Sequence, residues 1–320
     1  MKILIIRLSS IGDIVLTQPV AAALRQQYPQ AEIDFITKPA YRTLVKKFGS
    51  IDNILAWDES LAILKKIQRR KYDICIDLHA KLNTFLIRSL ARAKRTAVYD
   101  KKHLLRKKIV AHKTSATISS TLQLYYSALD KLAIAYQQQN PQLYLDKDKI
   151  ERQPAGIHIG IFPGALHKTK QYPPAKLAEL IQLFPEDWQI YLLGSPAEKV
   201  LAAEIQAMVA RSMINLCGEL SLDELCYQIE SMNFIISNDS GPMHIAAALQ
   251  KAQLAIFGAT DPVLGFAPLN PQAIVVSREM ECKPCSLHGS DSCPLGHLNC
   301  MQLLTNKAIY AEVKKKITAL

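Results

Sequence analysis

Two successive stretches, each of about 150 residues and each alternating short apolar strands with helices, constrain this chain more than any other feature. In the first, Lys2–Arg7 is an apolar strand and Asp13–Tyr28 a helix with Pro19 in its early turns. Glu32–Thr37 and Tyr72–Leu78 follow as strands, and Leu82–Ala91 is apolar at helical spacing. A longer helix over Thr117–Ala133 places Leu122, Tyr125, Tyr126, Leu129 and Leu132 on one face. The pattern lapses between Tyr136 and Gly156, a polar run containing Pro141 and Pro154, and then restarts. Strands are expected at Ile157–Phe162, Gln189–Leu193, Phe234–Ser237 and Gln253–Phe257. Helices are expected at Pro174–Phe184, Ser195–Ala210, Leu222–Ser231 and Gly241–Leu249. Strands that alternate with helices build parallel, doubly wound sheets. The expected architecture is therefore α/β, two Rossmann-like domains facing a central cleft, over residues 1–153 and 154–320. The last helix, Asn306–Ala319, can pack on either domain.

A chain of 320 residues that is 49% hydrophobic has ample core for this plan. Its apolar runs are too short to span a bilayer. The opening ILII run is likewise too short for the core of a signal peptide, so the start reads as a strand and the protein as cytoplasmic. The net charge of +11 is unevenly placed: residues 1–150 carry 26 Lys and Arg against 12 Asp and Glu, and residues 151–320 carry 13 against 16. A basic half joined to a mildly acidic half is suited to an anionic partner, whether nucleic acid, phosphorylated glycolipid or membrane surface.

Ligands of open α/β sheets bind beyond the carboxyl ends of the strands, so the turns there carry the chemistry. The first turn is Ser9-Ser10-Ile11-Gly12-Asp13. Gly12 permits a tight turn or a close backbone approach. Asp13 at a helix N-terminus is favoured as an anion and can serve as a general base toward a hydroxyl, although the same residue also reads as an ordinary helix cap. The dinucleotide pattern G-x-G-x-x-G is absent, which argues against a dehydrogenase. The second turn is Asn238-Asp239-Ser240-Gly241-Pro242-Met243-His244. Asp239 or Ser240 can cap the helix, Pro242 fits its first turn, and the exposed amides there suit a diphosphate. His244 lies one turn in, either beside that ligand or as a satisfied interior histidine. Phe162-Pro163-Gly164-Ala165 leads to Lys168 and Lys170, either of which can balance charge on a departing diphosphate. Gly194-Ser195-Pro196-Ala197-Glu198 and Gly258-Ala259-Thr260-Asp261-Pro262 are further turns at strand ends, and Glu198 has the reach to hold ribose hydroxyls.

Taken in this order and spacing, SSIGD, PGA…KxYP, GSPAE, NDSGPMH and GATDP resemble the lipopolysaccharide heptosyltransferases, family nine of the glycosyltransferases, over roughly Met1 to Met301. The resemblance implies the GT-B architecture and inverting transfer of heptose from ADP-heptose to the lipopolysaccharide inner core, with no metal and no cofactor. It implies Asp13 as catalytic base, with Ser9, Ser10 and Gly12 in the acceptor-side loop. It also implies Lys170 on the diphosphate, Glu198 on the ADP ribose, Asp239, Ser240 and Gly241 around donor sugar and phosphates with His244 beside them, and Thr260 and Asp261 on the donor side. Tyr172 departs from the family, where many members have tryptophan, and the Gly164–Lys170 spacing varies, so Lys168 is a rival for Lys170. A transferase with another nucleotide sugar or acceptor is the alternative within enzymes.

Cys282-x2-Cys285-x7-Cys293-x6-Cys300, with His288 and His297 between, should be reduced in a cytoplasmic protein. It is either a structural metal site or a packed thiol loop, and the second pair is too spread for a zinc ribbon. Lys101-Lys102-His103-Leu104-Leu105-Arg106-Lys107-Lys108, with Arg92, Lys94 and Arg95 upstream, reads as a solvated face. The resemblance implies an acceptor in the anionic inner-membrane leaflet, where each such lysine adds about 1 kcal/mol, and so a protein peripheral at the cytoplasmic face. A basic nucleic-acid-binding protein with a zinc module is the reading of another class. An aromatic content of 7% and the lack of any recognised nucleic-acid motif weigh against it.

Overall fold

The computed structural model describes residues 1–151 and 153–319. The chain divides into two compact units, Met1–His103 with Ser120–Tyr144, and Leu104–Ser119 with Leu145–Leu320. In the first unit, strands β1 (Lys2–Ile6), β2 (Glu32–Thr37), β3 (Asn53–Ala56), β4 (Ile74–Asp77) and β5 (Arg95–Val98) form one parallel sheet ordered β3-β2-β1-β4-β5. In the second, β6 (His158–Phe162), β7 (Gln189–Leu192), β8 (Ile214–Asn215), β9 (Phe234–Asn238), β10 (Gln253–Phe257) and β11 (Ala273–Ser277) form another, ordered β11-β10-β9-β6-β7-β8. Both are the doubly wound parallel sheets that the alternation implies.

The central strands are mostly apolar, without the alternation of a half-exposed sheet, because helices cover both faces. β6 and β9 are buried at every position. Edge strands escape that pattern: β5 buries one residue of four and β8 none. The sequence alternation therefore reveals the middle of each sheet and not its margins. Charge enters β2 at the buried Asp34, which Tyr72 Oη (2.6 Å), Asn53 and Arg70 partner. A buried carboxylate is tolerable only with such partners.

Three expected helices differ in extent. Asp13–Tyr28 is two helices, Ile11–Val15 and Gln18–Gln27, because Pro19 has no N–H to continue the ladder. Thr17 turns between them, its hydroxyl donating to the Ile14 carbonyl at 2.6 Å. Ser195–Ala210 starts as a 3-10 turn over Pro196–Glu198 before the helix Lys199–Met208. Thr117–Ala133 shortens to Thr121–Asp130, because Ile118 N donates to Val263 O in the second unit.

That bond belongs to a crossing the sequence does not announce. The sequence places one boundary at 153/154, whereas the chain joins the second unit at Leu104, leaves it after Ser119 and rejoins at Leu145. Arg106, expected on a solvated face, is buried; it donates to Leu264 O and stacks at 4.8 Å over the Phe266 ring. The last helix, Asn306–Thr318, packs in the second unit, where Ile309, Val313 and Ile317 enter the core and Asn306 Oδ1 accepts the Tyr172 hydroxyl at 2.6 Å. No described helix is long and apolar enough to cross a membrane.

Candidate functional site

Each sheet has one switch point, the crevice where strand order reverses: β1 beside β4 in the first unit, β6 beside β9 in the second. The turns Ser9–Asp13, Phe162–Ala165 and Asn238–His244 leave three of these strands, and the other two singled-out turns leave the neighbouring β7 and β10, so topology puts them where α/β proteins bind ligands.

In the first unit, Arg7 closes the apolar strand β1 and Asp13 sits in the first turn of the following helix. The Asp13 carboxylate is fully engaged. Its Oδ1 accepts from Tyr125 Oη at 3.0 Å, and its Oδ2 accepts from Ser10 Oγ at 2.9 Å and pairs with Arg7 at 2.5 Å. Burial opposes the charge on Asp13, but Arg7, Ser10 and Tyr125 together outweigh it and hold the carboxyl below its ordinary pKa. Burial also works against the Arg7 guanidinium, and Tyr125, Asp13 and Tyr99 more than restore it. Arg7 is fixed from behind by the carbonyls of Ser9 (2.6 Å) and Leu78 (2.5 Å) and lies 5.6 Å from the Tyr125 ring centre. Asp13 is thus a reciprocal cap of Ser10 and, at the same time, an ionised, oriented carboxylate about a quarter exposed. Ser9 and Ser10 line this turn, with Ser10 exposed. Gly12 has helical backbone, so the tight turn that glycine permits is not what it forms.

In the second unit, four loops converge beyond β6, β7, β9 and β10. Asn238, at the end of β9, is the clamp. Its Nδ2 donates to Pro163 O (2.9 Å) and Gly164 O (3.1 Å), while its Oδ1 accepts from Tyr172 N (2.9 Å). Asp239 is buried, and its Oδ2 accepts from Thr260 Oγ1 at 2.7 Å and pairs with Lys170 Nζ at 2.8 Å. Lys168 is exposed, so it is Lys170 that joins this cluster. Ser240 occupies the N-cap of the helix Gly241–Ala248, yet its side chain makes no capping bond and its Oγ is buried without a hydrogen-bond partner. His244 is buried one turn in. Asp261 is committed elsewhere: it caps the turn Pro262–Leu264 and pairs with the buried Lys283 at 3.4 Å.

Glu198 lies between two glycines. Its Oε2 accepts from Ser195 N (2.6 Å) and Ser195 Oγ (2.5 Å), and a Cβ at Gly164 would collide with its Cγ. Gly164→Ala should therefore displace Glu198; if Glu198 meets the ADP ribose as the resemblance implies, loss of that one charge-assisted bond weakens ADP affinity about tenfold. Calorimetric titration with ADP checks this; unchanged affinity would separate Glu198 from the nucleotide.

The cysteine-rich segment braces the same loops. Ser290 O accepts from Thr169 N (3.0 Å) and Thr169 Oγ1 (2.8 Å), Ser290 N donates to Thr169 Oγ1 (2.9 Å), and Cys285 N donates to Ala259 O (2.9 Å). Gly289 and Gly258 are small where they must be. A Cβ at 289 would meet Lys170 Cδ at 2.8 Å, and one at 258 the Thr169 carbonyl at 2.6 Å. Cys282, Cys285, Cys293 and Cys300 are free thiols, and burial pushes Cys285 up to about 11. Among the described residues no group of three or more His, Cys, Asp or Glu side chains is arranged to hold a metal.

A family model described as glycosyltransferase family 9 (heptosyltransferase) matches residues 60–294. A lipooligosaccharide heptosyltransferase 2 of Campylobacter jejuni is 25% identical over 99% of this chain and 100% of its own length. Another of the same name from Haemophilus ducreyi is 29% identical over 86% of this chain and 88% of its own. Among solved structures, ADP-heptose lipopolysaccharide heptosyltransferase II of Escherichia coli superposes with a TM-score of 0.78 at 23% identity, over 100% of this chain and 99% of that one.

Proposed function

Given that the chain belongs to glycosyltransferase family 9, the heptosyltransferases, we propose that it transfers a heptose from ADP-heptose to the inner core of lipopolysaccharide, on a Kdo-lipid A or heptosyl-Kdo-lipid A acceptor. Its main support is chemical: a fixed, ionised carboxylate stands at one switch point, and a buried acid–lysine pair with an open helix start stands at the other.

The reaction is a single displacement. The acceptor hydroxyl oxygen bonds to the anomeric carbon, the bond from that carbon to the diphosphate oxygen breaks, and ADP departs with the electron pair, inverting the centre. The hydroxyl proton passes to Asp13. Because Arg7 and Tyr125 keep that carboxylate weakly basic, proton transfer comes late, once the acceptor oxygen has bonded to carbon and become strongly acidic. Charge on the departing diphosphate meets Lys170, oriented by Asp239, and the amides and Ser240 hydroxyl at the start of the helix Gly241–Ala248. Glu198 holds the ribose, and His244 and Thr260 line the donor side. Asp261, tied to Lys283, shapes the loop. We assign the first unit, Met1–His103 with Ser120–Tyr144, to the acceptor and the second to the donor.

The test is incubation of purified protein with ADP-heptose and Kdo-lipid A, with and without a prior heptose, following ADP release and acceptor mass. Acceptor-dependent ADP release with a heptose added to the acceptor is the expected result. No turnover on either acceptor overturns the heptose assignment.

The protein works at an anionic membrane surface in this reading. The helix Leu82–Ala91 exposes Leu82, Phe85 and Leu86 to solvent, with Lys81 before it, Arg92 after it and Arg88 stacked 5.3 Å over Phe85. Apolar side chains rimmed by cations suit the interface of an anionic leaflet. Changing Leu82, Phe85 and Leu86 together to serine should weaken binding to phosphatidylglycerol-containing vesicles by roughly tenfold or more. Sedimentation with vesicles checks it, and unchanged binding would remove this helix from the membrane contact.

A further inference from the structure

At the first unit's switch point, the chain after β4 carries groups that neither the base nor its partners use. Asp77 Oδ1 accepts from the amides of His79 (2.9 Å) and Ala80 (2.8 Å), bending the chain sharply, with Ala80 in the left-handed region at φ +52°. Asp77 Oδ2 is neutralised by Arg88 at 2.9 Å. The turn delivers His79 and Lys81 to the crevice beside Arg7, and Lys101, after β5, closes over it with its Nζ donating to Ala80 O at 2.6 Å.

The charges do not balance. Arg7 has Asp13 and Asp77 has Arg88, which leaves Lys81 and Lys101 with no carboxylate within 4 Å among the described residues. Burial and then the repulsion of Arg7 and Lys81 push the Lys101 pKa down, and burial with the same cations pushes His79 down to about 3. His79 is therefore a neutral imidazole. It is 4% exposed, and its Nδ1 is buried with no hydrogen-bond partner. A buried polar atom left unpaired is destabilising, as is crowding like charges, unless a ligand completes both.

We propose that Lys81, Lys101 and His79 form an anion subsite that seats a carboxylate or phosphate of the acceptor beside Asp13. The lysines supply charge and His79 a neutral N–H or lone pair for an adjoining oxygen. The subsite fixes the register of the acceptor, so that the hydroxyl next to the bound anion is the one presented to Asp13. This inference rests on the transferase reading for its substrate, but not for its chemistry.

Two measurements keep these apart. First, phosphate and acetate are titrated separately into the donor-free protein while the His79 ring resonances, assigned through His79→Gln, are followed. Saturable shifts are expected in the wild type and should vanish in Lys81→Gln/Lys101→Gln; a wild type that shows none overturns the subsite whatever the enzyme transfers. Second, the acceptor KM is measured. Each lysine removed should raise it by about tenfold and the pair by about a hundredfold, with ADP affinity unchanged and Lys307→Gln as a charge control. An acceptor with its carboxylate esterified and one stripped of lipid phosphates identify the source, because the double variant loses nothing further against the acceptor lacking the bound group. A double variant with wild-type KM on the intact acceptor overturns the subsite and leaves the transferase assignment standing. Saturable anion binding without turnover overturns the heptose assignment and leaves the subsite.

Discussion

Asp13→Asn should lower kcat for heptose transfer by about 10²- to 10⁴-fold, the range a positioned general base contributes, while ADP-heptose binding survives. The amide keeps the size and the cap on Ser10 but can neither accept the hydroxyl proton nor pair with Arg7. The sign of the pH dependence follows from the same contacts. Asp13 acts when ionised, and its neighbours hold its pKa below the ordinary carboxylate value, so the acid limb of kcat/KM should lie low. Arg7→Met removes the main stabiliser of the anion, raises that pKa and should move the acid limb to higher pH. A pH profile of the two enzymes, with ADP affinity as the control, reads this directly. An unmoved acid limb in Arg7→Met would mean that Asp13 is not the titrating base. Near-wild-type kcat in Asp13→Asn would remove Asp13 from the chemistry altogether.

Lys170→Gln should cost about 10²- to 10³-fold in kcat, as loss of a group aimed at developing charge does, with a smaller effect on donor affinity. The exposed Lys168, two residues away, provides the contrast: Lys168→Gln should stay within about twofold of wild type. Steady-state kinetics on the two variants decide between them. Loss in Lys168→Gln with retention in Lys170→Gln would transfer the role and leave the Lys170–Asp239 pair as a brace. Because Thr260 and Lys170 share one Asp239 oxygen, Asp239→Asn should impair kcat in the same direction as Lys170→Gln.

The parts of the site that can be read in sequence are those that local chemistry writes there. Apolar strands stop at Ser-Ser-x-Gly-Asp and Asn-Asp-Ser-Gly-Pro, and a parallel sheet puts both turns at its ligand-binding edge. The structure places Asp13, Lys170, Glu198, Asp239 and Ser240 at those edges. What stayed hidden depends on partners far along the chain. Tyr125 reads as one more apolar position on a helix, yet its hydroxyl reaches Asp13 across 112 residues. Arg7 looks like the end of a strand, although a lone cation closing an apolar run at a ligand-binding edge was the available signal. Asn238 looks like turn chemistry and is a buried clamp on two other loops. Arg106 sits in a run of lysines that reads as solvated, and nothing local predicts a partner 158 residues away. His79 and Lys81 are silent for the same reason: only the pairing of β1 with β4 brings their turn beside the one that carries Asp13.

The position of Lys170 is written mostly outside its own loop. Thr169, its neighbour, is held by Ser290 from 121 residues further on, and Gly289 leaves the room in which the lysine side chain lies. The lysine is therefore set by a distant strand-to-helix segment as much as by the turn that carries it. A single added methyl at residue 289 would displace the ammonium group although every residue of its own loop stayed the same.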